Sequence, residues 1–234
     1  MRFVLTLPVV LLALYAAPTA AVQAQGCVAD QGGDLVCGAG KSALRIFADT
    51  TSPSKNYAFA WRTAQGLPSG RDAPNDVENI LIRVADGAVL ATLGGAHWET
   101  GEMRANRSDL MAAWSPDSRS VIEIANSRWD SDSFAYYRID GGAATRLDLR
   151  ALVEPVLTAR LPPRYRKGNS FRVLEDLPVT LDARGRVRFT AMLYVPKSEI
   201  SNTYKVQLNI RDRGGKPSAD VVSVVRRVKA DQVR

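Results

Sequence analysis

The stretch Ala113-Trp114-Ser115-Pro116-Asp117-Ser118-Arg119-Ser120-Val121 leaves a chain few ways to fold. Pro116 fixes its own φ and biases Ser115 towards extended backbone. Asp117 can hydrogen-bond the turn backbone. Trp114 closes one strand before it, and Val121-Ile122-Glu123-Ile124 after it is a run rich in residues that favour strands. The whole reads as strand, tight turn, strand. The pattern then recurs. Pro53, Pro116 and Ala183 are equivalent turn positions, separated by 63 and 67 residues. Asp86-Gly87, Asp140-Gly141 and Gly214-Gly215 mark a later hairpin in each unit. Strands are expected over 43–48, 56–62, 78–84 and 89–93 in the first unit. The second takes 109–114, 121–125, 134–139 and 144–147. The third takes 179–181, 187–194, 204–210 and 221–225. The chain therefore reads as all-β, built from three antiparallel meanders of four strands.

One segment breaks the β rhythm. Leu149, Leu152, Val153, Val156 and Leu157 follow helical spacing after Asp148, a suitable N-cap. Pro155 makes this helix short or kinked, and Leu161-Pro162-Pro163 ends it.

The second unit resembles the TolB-type β-propeller repeat. The resemblance rests on Trp114-Ser115-Pro116-Asp117-Ser118-Arg119, then Ser127-Arg128, then Tyr136-Tyr137-Arg138-Ile139-Asp140-Gly141-Gly142 and Thr145-Arg146-Leu147. It is closest over 113–147, moderate over 44–93 and faint over 177–228. Ser118 stands where that repeat has a turn glycine, and Lys55 holds the same place in the first unit; a positive φ there would carry strain. The resemblance implies four-stranded blades and a scaffold that binds partners rather than a catalyst. Propellers close with at least four blades. Three units imply an incomplete or open propeller, with a possible separate C-terminal β unit. The organisation expected is a signal peptide over 1–24, two blades with an N-terminal disulfide loop over 25–148, and a short helix with a basic β unit over 149–234.

The start of the chain carries an address. Met1-Arg2 is cationic, residues 3–17 are almost wholly apolar, and Val22-Gln23-Ala24 resembles a cleavage site, so a secretory signal removed after Ala24 is expected. The apolar run is shorter than the ~20 residues that span a bilayer, and no later stretch could cross one. The destination is periplasmic or secreted. Cys27 and Cys37 are the only cysteines. In an oxidising compartment they are expected to pair. A lipid-modified Cys27 has Gln25 against it, and a metal site would need more ligands.

Charge is uneven. Residues 25–149 hold 12 Lys and Arg against 16 Asp and Glu, whereas 150–234 hold 18 against 8. A basic half in an exported protein points to an anionic neighbour, or to pairing with the acidic half. Arg164, Arg166 and Lys167 form the densest basic segment. The compartment argues against nucleic acid. Trp98 and Trp129 fall in loops and are candidate recognition residues, whereas Trp61 and Trp114 fall on strands and read as packing between blades.

Chemistry-bearing motifs are thin. Gly38-Ala39-Gly40-Lys41-Ser42 lacks the first glycine of a phosphate loop. His97 is the only histidine, so no histidine-based metal cluster exists, and there is no G-x-S-x-G elbow. Asp130-Ser131-Asp132 does not complete a calcium loop, because Phe134 holds its fifth position. Asn106-Arg107-Ser108 matches a glycosylation sequon to which no role is assigned. The sequence points to no catalytic residue, metal site or cofactor. The leading reading is a non-enzymatic exported β-repeat protein that binds a protein or an anionic envelope component. A periplasmic hydrolase using acids in the blade loops, and a purely structural envelope protein, are the alternatives.

Overall fold

The computed structural model describes residues 26–30, 33–68, 76–98, 109–196, 198 and 200–227. The expected signal peptide and the sequon at 106–108 lie outside them.

Three antiparallel sheets follow one another along the chain. Sheet A has the order β1 (Val28–Ala29), β2 (Leu35–Cys37), β3 (Leu44–Ile46), β4 (Tyr57–Arg62), β5 (Glu78–Arg83), β6 (Ala88–Thr92). Sheet B is the meander β7 (Asp109–Trp114), β8 (Ser120–Asn126), β9 (Ser131–Asp140), β10 (Ala143–Asp148). After the helix α1 (Leu149–Thr158), sheet C contains β11 (Ser170–Val173), β12 (Thr180–Leu181), β13 (Arg186–Tyr194), β14 (Ser201–Arg213) and β15 (Lys216–Arg227). Both β11 and β12 pair with β13, the first at residues 191–194 and the second at 187–188. They are two pieces of one edge strand, interrupted by 175–179, so sheet C is also a four-strand meander. The fold is all-β and propeller-like, and it is open.

The three turns share a hydrogen-bond pattern, the third being one residue shorter. The N–H of Lys55, Ser118 and Gly185 donates to the carbonyl of Ser52, Ser115 and Asp182 respectively. These three donors have φ of 61°, 59° and 73°. In each turn the side-chain oxygen at the first position accepts from backbone N–H across the turn: Tyr57 N to Ser52 Oγ, Ser120 N to Ser115 Oγ, Arg186 N to Asp182 Oδ1. The strain expected at Ser118 and Lys55 is therefore present. Left-handed backbone costs a non-glycine residue about 1–2 kcal/mol. Lys55 is exposed, so Lys55→Gly should stabilise the protein by about 1 kcal/mol. Ser118 differs, because its buried Oγ accepts the N–H of Ser54 at 3.0 Å, tying the second turn to the first. Ser118→Gly relieves strain but deletes that bond, which contributes about 1 kcal/mol. Its net change should be near zero. Urea melts of the two variants check the contrast.

Sheet B lies between the other two. On β8, Val121 and Ala125 face sheet A, whereas Ile122 and Ile124 face sheet C. On β9, Ala135, Tyr137 and Ile139 face A, and Phe134 and Tyr136 face C. Both faces being covered, every residue of β8 is buried. The A–B core adds Phe59, Trp61, Leu81 and Leu110, and the B–C core adds Phe171, Phe189, Leu193 and Leu208. Phe134 stands 4.8 Å from Phe189, centroid to centroid. Burying each such side chain stabilises by about 1.5–3 kcal/mol. The boundary expected near residue 150 falls between sheets B and C, which share this core across it. The early strands β7 and β12 approach each other, and β10 packs against β6 and β15, the radial arrangement of blades.

Two strand tryptophans seal A against B. Trp61 is buried in that core. Trp114 stacks on Tyr57 at 6.3 Å, and its indole N–H donates to the Thr50 carbonyl at 2.8 Å. Helix α1 starts as expected, with the Asp148 carboxylate accepting from Ala151 N at 2.9 Å, and it buries Leu149, Val153 and Leu157. Pro155 sits inside it.

Cys27 and Cys37 form a disulfide. It clamps the β1–β2 extension to the outer face of sheet A, where Cys37 packs with Leu44, Ile46, Ala58, Ile80 and Ile82. Closing a loop of this size contributes about 2–3 kcal/mol in the chain-entropy view. Three strands escape a sequence reading. The segments β1, β2 and β11 have two to four residues each, too short for alternation to register.

Candidate functional site

The outer faces of the first and last sheets differ. That of sheet A is closed by the disulfide segment. That of sheet C is uncovered among the described residues. Strand alternation sends Val187, Phe189, Ala191 and Leu193 inward, so Arg188, Thr190, Met192 and Tyr194 face out. Register puts Gln207 and Ser223 beside Arg188, Lys205 and Val225 beside Thr190, and Thr203 and Arg227 beside Met192. A groove of about 470 Å³ crosses this face, walled at one end by Leu177 and Pro178.

Three cations step diagonally across the groove: Arg188 on β13, Lys205 on β14 and Arg227 on β15. Diagonal neighbours of this kind lie about 7–8 Å apart. All three are exposed. Arg188 bonds the Gln207 amide oxygen at 3.2 Å. None of the three makes an ion pair among the described residues. Their neighbours do: Arg186 pairs with Asp182 and Arg211 with Asp220.

Trp129 borders the same face. It is 56% exposed. It stacks on Tyr194 at 5.8 Å, and the Arg128 guanidinium lies 5.0 Å over its ring. The loop that carries it is anchored from both ends. Arg172 donates to the Ser127 carbonyl, and Asp130 receives Arg150 at 2.9 Å and the N–H of Phe171 at 2.9 Å. The aromatic pair is thus held rigid while one ring stays open to solvent.

The other expected binding residues are not part of this face. Trp98 is half-buried and packs against the A–B core. Arg164, Arg166 and Lys167 cluster at the 3-10 turn Pro163–Tyr165 behind α1. Arg164 stacks on Tyr165 at 4.7 Å. Arg166 donates to the carbonyls of Leu161 and Ala159, which satisfies the end of the helix. Lys167 is exposed. The diagonal row is not visible to a search for sequence clusters, because its cations are 17 and 22 residues apart; only strand register aligns them.

A second cleft, of about 540 Å³, opens between β7 and the 175–179 segment. Asp49, Asp109, Glu175 and Asp176 line it with Met111, Leu177 and Pro178. Glu175 is paired with Arg172. The acids singled out from sequence lie elsewhere and serve local structure. Asp117 accepts from Ser115 Oγ and Arg119 N, and the Ser115 hydroxyl holds its carboxyl below the usual range. Asp132 accepts from Ser127 Oγ. No group of acids, cysteines and histidine among the described residues could hold a metal. No helix among them is long and apolar enough to cross a membrane.

The buried polar groups join the sheets. Asn79 exchanges two hydrogen bonds with the backbone of His97, and His97 Nε2 lies 3.2 Å from the Asn126 carbonyl. Asn126 donates to the Val173 carbonyl in sheet C. His97 is thus a buried linker. Glu123, fully buried on the A-facing side of β8, accepts from Gly94 N, Ser133 Oγ and Tyr137 Oη. Burial outweighs these bonds and pushes its carboxyl above the usual value of 4.5. The folded state therefore binds more protons than the unfolded one above that pH. Glu123 makes stability fall as pH rises from about 4.5 until the raised value is passed. Glu123→Gln should flatten that slope, measured by urea melts across a pH series. An unchanged slope would assign it to another group.

Compared with known proteins, the chain matches no protein-family model and no curated protein.

Proposed function

We propose that the chain is an exported, non-enzymatic protein of TolB-like β-repeats that binds an anionic envelope partner through the open face of sheet C. The observation that carries this reading is the row Arg188, Lys205 and Arg227, unpaired on a face that no further sheet covers among the described residues. On the same sheet Arg186 and Arg211 have carboxylate partners, whereas the three cations of the row align on one face with none among the described residues. The disulfide fits an oxidising compartment. The four-strand units and their shared turn support the repeat reading.

Contact of this kind weakens with salt, since exposed charges are screened over about 8 Å at physiological ionic strength. The test is retention of the mature protein on a soluble polyanion, dextran sulfate, and on isolated cell envelopes, across a salt series. Wild type should bind at low salt and release as salt rises, and the triple variant Arg188→Gln, Lys205→Gln, Arg227→Gln should bind far less. Absence of wild-type binding to both at low salt would sink the reading.

One observation favours a hydrolase instead. The inner cleft gathers Asp49, Asp109, Glu175 and Asp176, and paired carboxylates are the usual means of acid–base hydrolysis. Turnover of chromogenic glycosides or esters that is lost in Asp176→Asn, with folding intact, would install that reading in place of the first.

A further inference from the structure

Resting on the reading above, we propose that the partner of the sheet C face is an anionic lipid surface, on which the protein lies with β13, β14 and β15 against the headgroups. Three features of the face point there.

Charge comes first. The unpaired cations Arg188, Lys205 and Arg227 match an anionic surface. They also oppose a second copy of this chain: a two-fold pairing of identical faces would set like charges against each other.

Apolar groups between the cations come second. Val225, opposite Lys205 and two residues from Arg227, is 58% exposed on the groove floor. Met192 lies between Tyr194 and the groove on the same strand. A hydrated anionic polymer gives such groups no apolar environment, whereas the region just beneath the phosphates does.

The third feature is Trp129 on Tyr194. Rings with a polar edge concentrate at membrane–water interfaces, where one part is wetted and the other is not. Both lie at the end of the face marked by Met192, Thr203 and Arg227. Arg128 over the indole adds a fourth cation at headgroup height. The tight anchoring of the 127–130 loop means that little order is lost when the ring enters the interface.

The experiment uses sedimentation of the mature protein with vesicles of phosphatidylglycerol mixed with phosphatidylcholine, with vesicles of phosphatidylcholine alone, and with dextran sulfate as a membrane-free polyanion. Wild type should sediment with the anionic vesicles at low salt and not with the neutral ones. Tryptophan emission should shift to the blue on binding, and brominated lipid should quench it. The triple glutamine variant should lose about a hundredfold in partitioning, the product of three basic residues near such a surface. Trp129→Ala should weaken vesicle binding several-fold, abolish the quenching and leave dextran sulfate binding unchanged. Far-UV circular dichroism and thermal melts confirm that the variants, all at exposed positions, are folded. Binding to dextran sulfate without binding to anionic vesicles overturns the lipid assignment and leaves the anionic-partner reading standing. Vesicle binding that neither variant alters overturns the assignment to this face. Binding to none of the three overturns both.

Discussion

Trp114→Ala should lower the stability of the protein by about 3 kcal/mol, the low end for removing a large packed aromatic side chain, because Trp114 is half-buried. Three losses combine. The indole leaves Tyr57 and Phe59, both of which it contacts at 6.3 Å. The Thr50 carbonyl loses its donor. A cavity opens where the first and second sheets meet. Trp114→Phe separates the terms: it keeps a ring and deletes the N–H, so it should cost nearer 1 kcal/mol beyond the change in packing. Urea melts give both values. An alanine variant within 1 kcal/mol of wild type would mean that Trp114 does not join the sheets.

The second large effect is at Gly185. Its φ of 73° is the left-handed position shared with Lys55 and Ser118. Here a side chain has no room. A Cβ would stand 2.7 Å from the Ile210 carbonyl oxygen, and that oxygen belongs to β14 backbone. Gly185→Ala therefore adds conformational strain to a forced shift of the β13–β14 hairpin, together about 3 kcal/mol. The same backbone position thus tolerates Lys55 in one turn, uses Ser118 to bond its neighbour in the next, and requires glycine in the third. A loss under 1 kcal/mol in the alanine variant would show that the third turn is looser than the first two.

These turns also show what the sequence made legible. The offset of Pro53, Pro116 and Ala183 is enough to align three units, because proline, serine and aspartate act through local backbone geometry. The alternation of Tyr204, Val206, Leu208 and Ile210 reveals a strand for the same reason. Asp148 announces its helix through a single cap bond. What stays hidden depends on distant partners. Strand β11 is four residues long and exists because β13 offers it an edge. Ser131 and Ser133 look like loop residues, yet their hydroxyls bond the buried Asn126 and Glu123, so β9 begins three residues earlier than its apolar pattern. The open face of sheet C was hidden more deeply. A local search finds Arg164, Arg166 and Lys167, of which Arg166 is spent on the end of α1. The diagonal row exists only once two hairpins are in register. Trp129 could be flagged from its loop, but its stacking on Tyr194 could not.

Amide hydrogen exchange across the whole chain, with and without dextran sulfate and then with and without anionic vesicles, tests the central claim most directly. Partner binding at the open face of sheet C should slow exchange in residues 186–194, 201–207 and 222–227 and in the Trp129 loop. Protection confined to 109–113 and 175–179, the inner cleft, or to 160–168, the turn behind the helix, would contradict it.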